Sequence, residues 1–394
     1  MPMQKNWTRI LLTMAGAAMG TALAAVAQTP APAAPAAQAP AAPAAPAASP
    51  TWSVGPLDLS GFIDGYYSYN FNTPANSFNG QVNDYYNFND KTDQFNLSAA
   101  KLTLNHDPDP VGVHIDFLFG RTEKLVNYTN DSNYIEQAYI SMKPPKAKGF
   151  EMDFGKFVTS AGAEVIEAKD NWNYSRSILF AYALPYYHFG LRTSMPVSKT
   201  DTIGVQVVNG WNNVTKDHSG ATVGLTNALV KPKYTWNLNY YVGPENPGTT
   251  TGMRNLIDTT LLLTPSAKFN AYLNYDYGQN RDSVKTTNTA AQDNLLNRWQ
   301  GVAFAAHGAV GPTQSLTARY EYYKDYQGFM TGTVQTLQEF TGTYEYKWAA
   351  GLLSRIEYRY DWSNKNTFHK NTATMVGDQS TITAAFIAFF GPKR

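Results

Sequence analysis

One unit recurs from about Leu57 to Phe390. Apolar and polar side chains alternate for roughly ten residues, and then the pattern breaks. The breaks take turns being short and long. The unit is plainest between Ser354 and Trp362. Ser354, Ile356, Tyr358, Tyr360 and Trp362 share one parity; Arg355, Glu357, Arg359 and Asp361 share the other. Successive side chains of a strand point to opposite faces. One face is therefore apolar and aromatic, and the other is charged. A soluble sandwich would bury the first and wet the second. A long series of such strands, with 26 tyrosines and an export leader, fits another solution. Grease faces lipid, and charge lines water inside a closed cylinder that leaves no strand edge unpaired.

The same alternation recurs along the chain. Val111, Val113, Ile115, Phe117 and Phe119 interleave with Gly112, His114, Asp116 and Leu118. Tyr234, Trp236, Leu238, Tyr240 and Val242 interleave with Thr235, Asn237, Asn239 and Tyr241. Sixteen strands are expected, at 58–72, 93–106, 111–121, 133–143, 150–157, 185–196, 201–211, 221–231, 234–243, 254–264, 268–279, 297–309, 314–326, 333–347, 351–362 and 380–390. Strands 93–106 and 221–231 alternate poorly, which predicts a bulge or a protein-covered face. The short breaks carry proline, as in Asp107-Pro108-Asp109-Pro110 and Lys143-Pro144-Pro145-Lys146. Proline lacks the amide that a ladder needs, so it ends strands. Seven short and eight long connections bring both ends of the series to one rim. The fold class is an all-β, transmembrane, antiparallel up-and-down barrel. The last strand ends in Phe389-Phe390, the aromatic close common to outer-membrane barrels.

Composition sets limits. Net charge is +1, so no field draws the chain to nucleic acid. Past the leader, no window approaches the ~18 apolar residues of a helical span, which says nothing against a barrel. There is no cysteine, hence no thiol nucleophile, no cysteine metal site and no lipid-anchoring cysteine. Lys5 and Arg9, the apolar run Ile10 to Ala24 and Ala25-Val26-Ala27 read as a signal peptide over 1–27. Residues 28–51 are nearly all Ala and Pro, an extended periplasmic linker. The barrel occupies 52–394.

The third long break, between Gly155 and His188, exceeds an ordinary connection. Ser160 to Asp170 is expected to form a short helix with Ser160 as N-cap. Glu164, Asn171-Trp172-Asn173, Ser175-Arg176-Ser177, Pro185, His188, Gly190 and Arg192 follow in order, with Gly155-Lys156-Phe157 before and Asn209-Gly210-Trp211 after. Through these residues the chain resembles the β-barrel porin-2 family of Gram-negative outer membranes, over about Trp52 to Phe390. The resemblance implies an outer-membrane porin without catalytic residues or cofactor. In sixteen-stranded porins the third long loop folds inward and narrows the channel. A homotrimer follows by the same analogy, with outer-membrane lipid and lipopolysaccharide around it and small hydrophilic solutes and ions within.

A diffusion pore needs fixed charge at its constriction. On the loop side the candidates are Glu164, Glu167, Asp170, Trp172, Tyr174 and Arg176. On the wall they are Arg192, Arg254, Arg298, Arg319, Arg355 and Arg359. Either the arginines oppose the loop acids and set up a transverse field, or they pair locally with Asp258, Glu321, Glu357 or Asp361. Trp172 and Tyr174 either stack on passing sugar rings or pack the loop against the wall. His188 has no H-x-x-x-H or H-E-x-x-H context, and no metal site is expected. Two other functions remain open at this level. One is a barrel lipid hydrolase using Ser175 or Ser177 with His188. The other is a plugged structural barrel.

Overall fold

Alternation becomes strand wherever the sequence carries it. The computed structural model describes residues 53–54, 57–75, 82–127, 132–249, 252–281, 295–349 and 351–392. The leader and the Ala/Pro linker lie outside the described residues. Sixteen strands form the wall: β1 Leu57–Asn70, β2 Gln94–His106, β3 Val111–Phe119, β4 Ile135–Met142, β5 Glu151–Val158, β6 Tyr187–Pro196, β7 Asp201–Val208, β8 Thr222–Lys231, β9 Tyr234–Pro244, β10 Met253–Ser266, β11 Phe269–Arg281, β12 Leu296–Ala309, β13 Gln314–Asp325, β14 Gln335–Ala349, β15 Leu352–Ser363 and β16 Asp378–Phe390. Each pairs antiparallel with the next. β16 returns to β1 from Thr381↔Asn70 to Phe390↔Gly61, and the sheet closes. Each of the sixteen expected strands is present.

The two faces separate as the parity predicts. Ile356 and Phe386 are 55% and 60% exposed on the outside, whereas Arg355 and Glu357 are 2% exposed on the inside. The outer apolar side chains meet lipid, because a soluble protein could not leave such a belt bare. No described helix is long and apolar enough to cross a membrane.

The expected irregularity in strand 93–106 is a bulge. Asp64 pairs with Ala99 and Gly65 with Leu97, which leaves Ser98 extra. In β8 no bulge forms: its register is regular on both sides. Its weak alternation comes instead from small or apolar inner residues such as Gly224, Ala228 and Val230. A second bulge leaves Glu136 extra between Gln137 and Ile135 in β4, and that carboxylate is fully buried. Gly155 and Gly190 face each other across β5 and β6 with φ of 142° and 154°. A Cβ on Gly155 would lie 2.1 Å from the Ala138 carbonyl oxygen, so only glycine lets β4 and β6 close on β5 there.

At the loop end, the first long connection dips inside, burying Asn83, Tyr86, Phe88 and Asn89. The second carries the short helix α1, Arg121–Val126. The last carries a small hairpin, Phe368–Lys370 with Thr374–Val376. The sequence reading foresaw neither. The expected helix over 160–170 is absent. That stretch holds one 3₁₀ turn, Ala168–Asp170, and the loop's helix is α2, Ile178–Tyr182. Side chains compete for the main chain that a helix over 160–170 would need. Asn171 accepts from the Val165 amide and donates back to the Val165 carbonyl, while Asn274 takes the Ala163 amide.

Candidate functional site: a loop laid across the lumen

Residues 159–186 join β5 to β6 through the barrel interior, and the wall grips them by their main chain. Arg355 donates to the carbonyls of Ala168, Asn171 and Asn173, at 2.5 Å and 3.1 Å for the last two. Glu357 accepts from the Tyr174 and Ser175 amides at 2.6 and 2.9 Å. Arg359 donates to the Arg176 carbonyl at 2.7 Å. Glu321 accepts from the Ile178 and Leu179 amides, both at 2.9 Å. Those amides open α2 and have no partner within it, so a carboxylate there is favourable. Ser177, the helix N-cap, accepts from the Phe180 amide at 2.9 Å. On the far wall, Gln206 reaches the Ser160 hydroxyl at 2.8 Å and Asn239 the Ser160 carbonyl at 3.0 Å. The loop is therefore fastened on opposite sides and spans the lumen.

Ion pairs complete the fastening. Arg319 lies 2.6 Å from Glu164 on the loop and 2.7 Å from Glu339 on β14. Arg359 pairs with Asp361, and Arg355 with Glu345, each at 2.7 Å. Below the loop, toward the short turns, lies a cavity of about 920 Å³. Glu164, Asp170 and Trp172 face it from the loop, and Arg192, Asn239 and Thr260 from the wall.

The profile of the family described as "Putative beta-barrel porin-2, OmpL-like" matches residues 56–390. The chain belongs to that family. No curated protein matches it by sequence. Solved porins share its fold at low identity. The anion-selective porin of Comamonas acidovorans is 10% identical with a TM-score of 0.57, over 85% of this chain and 99% of that one. The outer-membrane channel DcaP of Acinetobacter baumannii is 12% identical with a TM-score of 0.56, over 86% and 99%. Outer-membrane expressed OmpT of Vibrio cholerae is 12% identical with a TM-score of 0.54, over 85% and 97%. The chain is an outer-membrane, porin-like β-barrel.

In this porin the residues picked from sequence divide by place. Glu164 accepts from the Ser177 amide at 2.6 Å besides pairing with Arg319. Glu167 pairs with Lys101 of β2. Asp170 is exposed and, among the described residues, pairs with neighbouring Lys169. Trp172 lies between Tyr272 and His307, each 5.3 Å away by ring centroid, so stacking partners on the wall already engage it. Tyr174 is fully buried and donates to Asp64 at 2.8 Å. Arg176 is buried, ties loop carbonyls together and covers the Phe88 ring at 4.7 Å.

On the wall, Arg192 pairs with Asp153 at 2.6 Å and stays at the cavity. Arg254 lies near the loop end, over Trp211 at 4.8 Å and bonded to Asn280, away from the fastened loop. Arg319, Arg355 and Arg359 do point inward, and they hold the loop. Of the local pairings weighed from sequence, Arg359 with Asp361 and Arg319 with Glu321 form, the second at 3.4 Å. Arg298 is a correction: it lies on the outer face, over Tyr326 at 5.2 Å. It shares the parity of Val302 and Phe304. At the third position of β12, beyond the hydrocarbon, an outward charge costs little.

The sequence reading missed Lys101. Its ammonium sits among Asp116, Glu136 and Glu167, 2.8 and 2.7 Å from the first two. These three carboxylates cluster closely enough to suggest a metal site, but the lysine already fills their centre. The reading also missed Asp64, Glu321 and Glu357 as anchors. Their inner parity was the available signal.

Proposed function

We propose that this porin is a water-filled channel for passive diffusion of small hydrophilic solutes and ions. In this reading the chain works as a homotrimer, with the leader over 1–27 removed and 28–51 as a periplasmic spacer. The observation that carries it is the cavity of about 920 Å³ under a loop fixed across the lumen. Charge there is largely paired, Arg192 with Asp153 and Glu164 with Arg319. Paired charge leaves amides and hydroxyls to meet the solute, which suits neutral polar molecules and weakly selected ions. The loop-side group is Glu164, Asp170 and Trp172, and Arg192 stands opposite.

One observation favours a second reading, a plugged barrel. Arg319, Glu321, Glu339, Arg359 and Asp361 are all 0% exposed, so the loop fills the lumen on that side. An enzymatic role draws no such support. Ser177 caps α2, the Ser175 hydroxyl meets Arg319, and His188 Nδ1 faces the Gly210 carbonyl.

Planar-bilayer recording with a salt gradient tests the proposal. Steady conductance closing in three steps, with a small reversal potential, is the expected result. A purified, folded protein with no conductance would leave the plugged barrel.

A further inference from the structure

Two buried wall carboxylates lie side by side and form no ion pair. Asp258 on β10 and Asp276 on β11 are paired across the ladder, and both are 0% exposed. Asp258 accepts from Asn239 at 2.8 Å, from Asn274 at 2.9 Å and from the Gly162 amide of the loop. Asp276 meets the Asp258 carboxyl across the ladder, and no other donor reaches its oxygens. Among the described residues, no arginine, lysine or histidine forms an ion pair with either. Three other acid clusters inside the barrel do hold a cation: Lys101 in one, Arg319 with Arg359 in another, Arg355 beside Glu345.

A separate observation points the same way. Thr260, two residues along β10 on the same inner face, is 5% exposed, and its hydroxyl also has no partner. Thr260, Asn239 and Gly162 all line the cavity, which gives an approach from water. The loop forms the roof. A Cβ on Gly301, the ladder partner of Asp276, would lie 2.2 Å from Leu179 of α2. Isolated carboxylates in a dry site are costly. Two of them balance one divalent charge, and hard cations prefer carboxylate, hydroxyl and carbonyl oxygen.

We propose that Asp258 and Asp276, with the Thr260 hydroxyl, bind one hard divalent cation of the Ca²⁺ type between the wall and the inward loop. The cation bridges β10 and β11 and steadies the loop at Gly162.

The test uses purified, folded protein stripped with chelator and titrated with Ca²⁺ by calorimetry, while thermal unfolding is followed in parallel. One Ca²⁺ per chain and a raised unfolding midpoint are expected. Asp276→Asn and Asp258→Asn should each weaken binding by about tenfold or more, with the barrel still heat-modifiable on gels. Glu136→Gln, at the lysine-filled cluster, should bind as the unaltered protein does. Absence of Ca²⁺ binding overturns the proposal. So does binding that survives Asp276→Asn. A chelated protein stabilised only by acid also overturns it, because the pair then shares a proton instead. Conductance is read separately, so a closed channel does not decide this result.

Discussion

Arg319 Nη1 lies 2.6 Å from Glu164 Oε1, a contact between residues 155 apart in the chain. It joins the barrel wall to the loop inside it. The same guanidinium holds Glu339 and the Ser175 carbonyl. Arg319→Ala strips all three at once and leaves two buried carboxylates short of a cation. Removing one partner of a buried pair costs about 3–5 kcal/mol. We expect a lower urea midpoint and larger, noisier conductance in single-channel records. Arg319→Ala combined with Glu164→Gln should recover part of the lost stability.

Arg355 is a donor to three loop carbonyls. Arg355→Met leaves those oxygens without their partner, at about 1–3 kcal/mol for a buried group. The barrel should still fold. Hydrogen exchange across residues 168–177 should quicken, with little change in β2 to β9. Unchanged protection in that stretch would show that the loop holds its place by packing alone.

Lys101 balances Asp116, Glu136 and Glu167. Lys101→Met frees negative charge inside the barrel. The reversal potential in a salt gradient should move toward cation selectivity, and the urea midpoint should fall. Adding Glu136→Gln should return both part of the way.

The hairpin of the last loop touches the first loop through His369 and Asp84, at 2.8 Å from Nδ1 and 2.6 Å from the His369 amide. The hydrogen bond to Asp84 raises the His369 imidazole above its ordinary value, against partial burial. A raised histidine contributes stability that is fully present below its unfolded value, near 6.5. That contribution is lost as pH climbs through the raised value. Amides of 82–92 and 367–376 should therefore lose protection between mildly acid and alkaline pH, after correction for intrinsic exchange. His369→Asn should remove the dependence.

Ile356 lies near the middle of β15 and is 55% exposed to the outside. Ile356→Arg puts a charge in the hydrocarbon, at about 2–4 kcal/mol. Folding into lipid vesicles, followed by urea titration, should show this loss.

Parity and proline made the wall legible in the sequence, because both act over a few residues. Phe389-Phe390 and the Gly155 and Gly190 motif were legible for the same reason. The loop's path was not. Its amides are taken by Glu321 and Glu357, and its carbonyls by Arg355 and Arg359, from strands more than 140 residues later. No local signal at Ser160 to Asp170 announces such partners, so helix propensity misled there. Arg298 shows the opposite error: its outward parity was visible, and its charge was weighted above it. Lys101 escaped notice because the Ser98 bulge blurs alternation in its strand.

Because the wall seizes the inward segment largely by peptide groups, an exposed side chain that the segment turns to the cavity is free of that task. Peptide groups are the same in every residue but proline. Asp170 could then be exchanged for other chemistries while the segment kept its path, and one unchanged cylinder could serve as the mount for a series of different filters.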